Sequence, residues 1–324
     1  MSKILVTGGC GFIGSHLSEF LTLKGYQVKV LDKYNRDNHH GWLENSKLKK
    51  DIEVILGDIR DYDFVEKSLK GHESVLHLAA LCGIPYSYVS PLAYLKTNVE
   101  GTYNILEAAK KFNFNQVVIT STSETYGTAL KVPMNEFHRL NAQSPYAASK
   151  IAADQLALSY FNSYKMPIKI VRPFNTYGPR QSLRAIIPSI ISQLINKNSL
   201  KIGNTKPTRD FTYVTDTVEG IYKILMAKKI YGEVVNIGNN SEISIKRLVN
   251  LISSQLKLRP KIIIENKRVR PQQSEVTRLK CDNKKIKKMG WKAKVNIEDG
   301  IKKTIQWIGS NNLDIKNKHK IYNI

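Results

Sequence analysis

Tyr146 and Lys150 stand four residues apart in Tyr146-Ala147-Ala148-Ser149-Lys150, so on a helix a phenol and an ammonium share one face. Ser144-Pro145 marks where that helix starts, with the proline in its first turn. A free phenol has a pKa of about 10, and ionising it at neutral pH costs roughly 4 kcal/mol. A neighbouring cation lowers that cost, which makes the pair suited to taking a proton from an alcohol. Upstream, Ser121-Thr122-Ser123-Glu124-Thr125-Tyr126-Gly127 supplies hydroxyls and one carboxylate. Thr122 is suited to hydrogen-bond the alcohol being oxidised, and Glu124 to act as a base.

An alcohol losing its proton to such a base needs an acceptor for its hydride, and the N-terminus offers one a place. Thr7-Gly8-Gly9-Cys10-Gly11-Phe12-Ile13-Gly14 follows an apolar run and leads into a helix over Ser15–Leu21. Gly8, Gly11 and Gly14 permit a tight turn, close approach of backbone amides to a pyrophosphate and close packing of helix on strand. Gly8, Gly11, Phe12 and Ile13 are therefore candidate cofactor contacts at a helix N-terminus. Asp32 stands 18 residues after Gly14, where a carboxylate accepts from both ribose hydroxyls. It would repel a 2′-phosphate, so NAD is expected rather than NADP. Asp58 is placed to hold the adenine amino group, with Ile59 against the ring, and Leu78-Ala79-Ala80 to let the backbone pass close to the ligand.

These residues sit at the ends of regularly spaced apolar runs: 3–7, 27–31, 52–56, 74–78, 116–120 and 168–172. The runs are rich in β-branched residues and are separated by helix-length amphipathic stretches. The pattern predicts an α/β fold, a Rossmann-type doubly wound parallel sheet with a smaller C-terminal substrate-binding domain. The expected division is an NAD-binding domain over 1–175, with a return segment near 205–240, and a second domain over 176–324. Beyond residue 175, prolines at 173, 179, 188 and 207 break the rhythm. That region reads as a helix near 185–197, a hairpin-like piece around Lys201-Ile202-Gly203 and a strand over Val234–Gly238. The Asn/Lys-rich end from Gly309 to Ile324 carries no strong pattern.

With 42% apolar residues in 324, the chain can build a core, and no run of 18 apolar residues suggests a membrane span. The N-terminus enters a strand directly, so no signal peptide is read and a cytoplasmic protein is expected. Cys10, Cys82 and Cys281 are far apart and read as buried thiols. No metal is expected, because His39-His40 is the only histidine cluster. Lys and Arg exceed Asp and Glu by 50 to 27, but the lysines are dispersed and no aromatic-rich RNA-binding motif accompanies them. A basic surface of this kind concentrates a small polyanionic substrate, and no nucleic acid is expected.

Taken together, these motifs resemble the extended short-chain dehydrogenase/reductase family, in its nucleotide-sugar epimerase/dehydratase branch. The resemblance covers roughly residues 1–305 and adds His77–Ala80, Asn98-Val99-Glu100-Gly101-Thr102, Arg172–Arg180, Arg209-Asp210-Phe211 and Arg270-Pro271. The stretches Asn141–Tyr146 and Gly178–Ser182 look most like N-acetylglucosamine 4,6-dehydratases of the legionaminic-acid type, acting on a GDP- or UDP-linked sugar. The resemblance implies that Arg209 and Arg270 grip a nucleotide diphosphate, that Asn175 meets the sugar-phosphate, and that Arg184 to Pro188 enclose the base. It implies that the loop Cys82–Ser87, including Ser87, lines the hexose pocket. It also implies a homodimer through 92–112 and 146–163, whose apolar faces carry Leu95, Val99, Tyr103, Leu106, Ile151, Leu158 and Phe161.

For the reaction, the resemblance implies C4 oxidation assisted by Tyr146, Lys150 and Thr122, C5 deprotonation by Glu124, loss of water from C6 and hydride return to C6. Glucose-type dehydratases carry an aspartic acid where this chain has Ser123, a much weaker acid for the departing hydroxyl. The Ser-Glu form also occurs in decarboxylases of nucleotide-activated glucuronic acid. A 4-epimerase would need only Tyr146, Lys150 and Thr122, and a non-catalytic NAD-binding sensor would keep the fold alone.

Overall fold

The computed structural model describes residues 2–311. The first half runs β1 (Lys3–Thr7), α1 (Phe12–Leu23), β2 (Gln27–Lys33), β3 (Ile52–Gly57), α2 (Tyr62–Leu69), β4 (Ser74–His77), α3 (Ile84–Val89), α4 (Pro91–Tyr94), α5 (Gly101–Lys111), β5 (Gln116–Thr120), α6 (Pro145–Tyr164) and β6 (Ile168–Pro173). The second half runs β7 (Asn175–Tyr177), α7 (Ile186–Asn196), β8 (Ser199–Ile202), β9 (Thr208–Arg209), β10 (Phe211–Tyr213), α8 (Val214–Met226), β11 (Glu233–Ile237), β12 (Ile243–Ser244), α9 (Ile245–Gln255), β13 (Lys261–Ile264), α10 (Lys284–Lys288) and α11 (Ile297–Ser310). Helix α11 reaches Ser310; the rest of the Asn/Lys-rich end, from Asn312, lies outside the described residues.

Seven strands form one parallel sheet in the order β11-β6-β5-β4-β1-β2-β3. Their Val/Ile/Leu-rich sequences are what a sheet covered on both faces requires. On one face α1 and α8 pack with much of the second half, and on the other α2, α5 and α6 do. The six runs read from the sequence are the first six strands. The seventh, β11, comes from 233–237 after the chain has passed through the second lobe. The order reverses between β1 and β4, and at such a switch point the carboxyl ends of the strands open a crevice.

Two local features depart from expectation. Helix α1 begins at Phe12 rather than Ser15, so Gly14 lies inside it, where a Cβ would stand 2.1 Å from the Gly8 carbonyl oxygen. Residues 201–203 form no hairpin: β8 pairs in parallel with β13, reached only after α9. The Arg268 carbonyl oxygen would lie 2.3 Å from a Cβ on Gly203, so the glycine serves a close backbone crossing instead of a tight turn. Among the described residues no helix is long and apolar enough to cross a membrane, and no group of three or more potential metal ligands gathers.

Candidate active site

The crevice is built by backbone that only glycine and small residues allow. Gly8 has φ +70°, and a Cβ there would lie 2.8 Å from the Ala79 nitrogen, so the ends of β1 and β4 are pressed together. The Thr7 hydroxyl accepts from the Ala79 amide at 3.1 Å and bonds His77 Nδ1 at 2.7 Å, while His77 Nε2 meets Thr102 Oγ1 at 3.2 Å. Burial then drives the His77 imidazole down to about 3, and the Lys150 charge adds to this. The N-terminus of α1 has neither a side-chain cap nor an acid in its first turn, which leaves the amides of Phe12 and Ile13 for an anion. Asp32, near the end of β2, accepts from the Cys10 amide at 2.7 Å and from its neighbour Lys33 at 2.7 Å. Bare helix amides, a tight glycine turn and a carboxylate at the strand end fit a dinucleotide.

The residues after β3 are disposed differently from expectation. Asp58 gives its carboxylate to Arg60, whose Nε lies 2.9 and 3.0 Å from its two oxygens. Ile59 turns into the core against Gly101, where a Cβ would be 2.5 Å from its Cδ1, so its side chain is spent on packing.

The second wall carries the chemistry-bearing side chains. Ser144 caps α6 by accepting from the Ala147 amide at 3.1 Å, with Pro145 in the first turn, and this sets Tyr146 and Lys150 one turn apart. Both are buried. Residues Ser123–Tyr126 form a 3₁₀ turn at the end of β5, and Thr122 caps it by accepting from the Glu124 amide at 3.3 Å. The Thr122 hydroxyl acts on the Tyr146 phenol and favours its ionised form. Burial raises that phenol well above its ordinary value, the Cys82 thiol and the Glu124 charge add to the rise, and Thr122 opposes it.

Lys150 is tied to the backbone of the neighbouring strand. Its ammonium donates to the Thr120 carbonyl at 2.6 Å, and burial lowers its pKa against the opposing pull of Asp154. Cys82 is not a buried thiol: it is exposed in the loop after β4, beside the phenol, while Cys10 and Cys281 are buried. Ser123 and Glu124 are 2% and 9% exposed.

A buried polar frame holds this cluster, and sequence reasoning missed most of it. Asn98 sits in a π-helical turn, Leu95–Glu100, a type of distortion that recurs at functional sites. Its amide takes the Leu81 amide at 2.8 Å and gives to Leu81 O at 3.1 Å and Ser149 Oγ at 2.9 Å, which ties the loop after β4 to α6. Asp154, one turn beyond Lys150, accepts from Ser121 Oγ and from Arg172 Nη2, each at 2.6 Å. Arg172 in turn lies 4.6 Å over the Tyr126 ring. The motif around Asn98 was visible in the sequence; the Asp154–Arg172 pairing carried no local signal.

From the second half, Arg209 and Arg270 face one carboxylate, Glu275, at 3.5 and 3.8 Å. Arg209 is buried, gives Nη1 to the Val276 carbonyl at 2.8 Å, and feels the charge of Glu124. Arg270 Nη1 and Asn175 Oδ1 are buried without hydrogen-bond partners. Arg184 is exposed at the start of α7. Ser87 does not face the cleft: it is fully buried, and its hydroxyl donates to the Ile84 carbonyl at 2.7 Å within α3.

A parallel sheet with a glycine-lined crevice at its switch point, and a phenol–ammonium pair beside it, defines an extended short-chain dehydrogenase/reductase of the nucleotide-sugar epimerase/dehydratase type. More narrowly, the chain belongs to the GDP-mannose 4,6 dehydratase family, whose sequence pattern matches residues 5–304. It is 34% identical to the human dTDP-D-glucose 4,6-dehydratase over 98% of this chain and 93% of that one. It is also 34% identical to the UDP-N-acetyl-alpha-D-glucosaminuronate decarboxylase of Bacillus cytotoxicus, over 94% and 97%. Among solved structures, the dTDP-glucose 4,6-dehydratase DesIV of Streptomyces venezuelae, which holds NAD, superposes with a TM-score of 0.88 at 28% identity, covering 96% of this chain and 98% of that one.

Proposed function

We propose that the protein is an NAD-dependent 4,6-dehydratase of a nucleotide-activated N-acetylhexosamine, a GDP- or UDP-linked N-acetylglucosamine of the legionaminic-acid type. The observation that carries this reading is the place of Glu124. It lies, 9% exposed, in the Ser123–Tyr126 turn after β5, and its charge is felt both by the Tyr146 phenol and by Arg209. A hexose reaching from that phenol toward the arginine offers Glu124 a ring carbon. Epimerisation at C4 has no use for such a group.

Held by Gly8, Gly11, Phe12, Ile13 and Asp32, NAD⁺ supplies the hydride acceptor for C4 and the later donor for C6. Tyr146, its phenol brought down by Thr122 and by the positive charge of an oxidised nicotinamide beside it, takes the proton of the C4 hydroxyl. The resulting 4-ketone acidifies the C5 proton by about ten pK units, which brings it within reach of a carboxylate. Glu124 removes that proton, the C6 hydroxyl leaves as water, and C5 is reprotonated as C6 is reduced. Ser123 is too weak an acid to protonate the leaving hydroxyl, so Glu124 relays the proton it has just taken; C5 then takes its new proton from solvent, balancing the one that Tyr146 returns to solvent. Arg209 and Arg270 bind the diphosphate with charge-assisted contacts, and Asn175 the sugar-phosphate.

One observation favours a second reading. A serine, itself nearly buried, occupies the place of the leaving-group acid, and decarboxylation of a uronic acid sugar needs no such acid. A panel of GDP- and UDP-linked N-acetylglucosamine, glucose and the corresponding uronic acids, followed by NMR, tests both. A 4-keto-6-deoxy product supports dehydration, carbon dioxide with a pentose product supports decarboxylation, and a C4-inverted hexose supports epimerisation. NAD binding without turnover would leave a sensor.

The protein is further proposed to pair as a homodimer. Leu95, Val99, Tyr103 and Leu156 line a shallow cavity of about 560 Å³, with Leu95 and Tyr103 nearly half exposed. Leu106 does not share that face, being fully buried against the sheet.

A further inference from the structure

Residues 270–277 cross the mouth of the cleft as a strap whose far end is fixed to β9. The Thr208 amide donates to the Thr277 carbonyl at 3.0 Å, and Arg209 to Val276 O. The near end meets Gln143. Gln143 Nε2 donates to the Gln273 carbonyl at 2.8 Å, and the Ser274 hydroxyl donates to the Gln143 carbonyl while bonding the Tyr88 hydroxyl.

The other end of the Gln143 amide faces the segment after the Glu124 turn. Its Oε1 accepts from the Thr128 amide, just beyond the turn that carries Glu124. Gly127, at φ +62°, makes room for it: a Cβ there would stand 2.6 Å from Gln143 Oε1 and 2.5 Å from Asn141 O. The next residue, Ser144, is the cap of the helix that presents Tyr146. One side chain therefore bonds the strap and the segment that leaves the Glu124 turn, and its residue directly precedes the cap of the Tyr146 helix.

The strap also carries one of the two arginines and the carboxylate between them. Separations of 3.5 and 3.8 Å are long for charge-assisted hydrogen bonds, which run about 2.7–2.9 Å, and Arg270 Nη1 has no hydrogen-bond partner. A diphosphate would satisfy both guanidinium groups better than one shared carboxylate, and Glu275 follows Ser274 directly. A cavity of about 540 Å³ lined by Tyr88, Asn141, Gln143, Pro271 and Ser274 leaves the strap room to reseat.

We propose that Gln143 is a positioning residue that couples the seating of the strap on a nucleotide diphosphate to the placement of Tyr146 and Glu124. This rests on the nucleotide-sugar reading above only for the identity of the anion.

The test follows amide hydrogen exchange of the full chain with NAD, with and without UDP or GDP, in the wild type, Gln143→Ala, Ser274→Ala and Ser274→Thr. In the wild type, diphosphate slows exchange both at 270–277 and at 144–150. In Gln143→Ala and Ser274→Ala the slowing at 270–277 remains and that at 144–150 is lost, while Ser274→Thr restores it. Ser274→Ala leaves the Gln143–Thr128 bond intact, so its result does not depend on Gln143→Ala folding. With turnover as a second readout, both alanine variants lower kcat about three- to tenfold, the worth of a lost hydrogen bond, and change KM less. Slowing at 144–150 that survives in both alanine variants overturns the coupling, as does a wild-type strap indifferent to both diphosphates. A wild type that shows the coupled slowing but turns over no sugar nucleotide refutes the assigned reaction and leaves the coupling standing.

Discussion

Replacing Asp154 by asparagine keeps the shape of the frame beneath the catalytic helix and removes its only negative charge. In the folded protein the Asp154 and Arg172 side chains are 0% and 2% exposed, and their contact is 2.6 Å. The substitution leaves a guanidinium in the interior with no countercharge, a change that costs about 3–5 kcal/mol. That is a large part of the roughly 5–15 kcal/mol by which domains are stable. Urea unfolding at pH 7 should show that loss in Asp154→Asn, while the paired change Asp154→Leu/Arg172→Met, which removes both charges, should come within about 1–2 kcal/mol of the wild type. There is a catalytic signature too. Asp154 is the group that holds the Lys150 ammonium up against burial, so in Asp154→Asn the Lys150 pKa falls and the limb of the kcat profile that reports it moves to lower pH. A loss below about 1 kcal/mol in the single variant would refute the reasoning, since buried pairs broken on one side do not cost so little.

Glu124→Gln should still oxidise C4, so that reduced nicotinamide accumulates without product and turnover drops by about 10²–10⁴; Tyr146→Phe should block both steps. Full activity in Glu124→Gln would remove the carboxylate from the mechanism. Acid should weaken the fold through two imidazoles kept neutral by burial. His16, bonded at 3.2 Å to the Pro179 carbonyl beside Arg180, is lowered from 6.5 to about 4, and His77 to about 3. The unfolded chain takes up these protons first, so stability is complete above pH 6.5 and declines as pH falls through 4. For His16 the loss is about 3 kcal/mol, at 1.36 kcal/mol per pKa unit, and His16→Asn should flatten that part of a pH series of unfolding curves. Finally, Leu95→Glu with Tyr103→Glu should yield a monomer by analytical ultracentrifugation; an unchanged sedimentation coefficient would rule that face out as the interface.

The parallel sheet was legible because its first six strands are short β-branched runs with helix-length gaps between them; the seventh, read as a strand over 234–238, was visible as a run but not as the partner of β6. The crevice was legible because the positive φ of Gly8 and the close approach of Gly14 to the Gly8 carbonyl are demands that act within a few residues. What could not be read depends on residues far apart in the chain. Asp154 and Arg172 meet across 18 residues, and Asn98 and Ser149 across 51. Polar groups of this kind look like ordinary surface residues until burial is known. The spacing of Tyr146 and Lys150 was visible, but the partner of the ammonium was not, because the Thr120 carbonyl that accepts from it lies on another element. Ser87 misled for a related reason: on a one-and-a-half-turn helix its hydroxyl finds a carbonyl three residues back.

The late arrival of β11 bears on how the molecule is made. A nascent chain that has emerged as far as Pro173 holds six strands in sequence, but the outer border of β6 stays open until residues 174–232 have followed and Glu233–Ile237 can dock along it. During that interval the ribosome-bound intermediate displays an unpaired row of peptide groups on a ribbon whose six residues, Ile168–Pro173, are all buried in the finished fold, the kind of surface that invites chaperones or mispairing with a neighbouring chain.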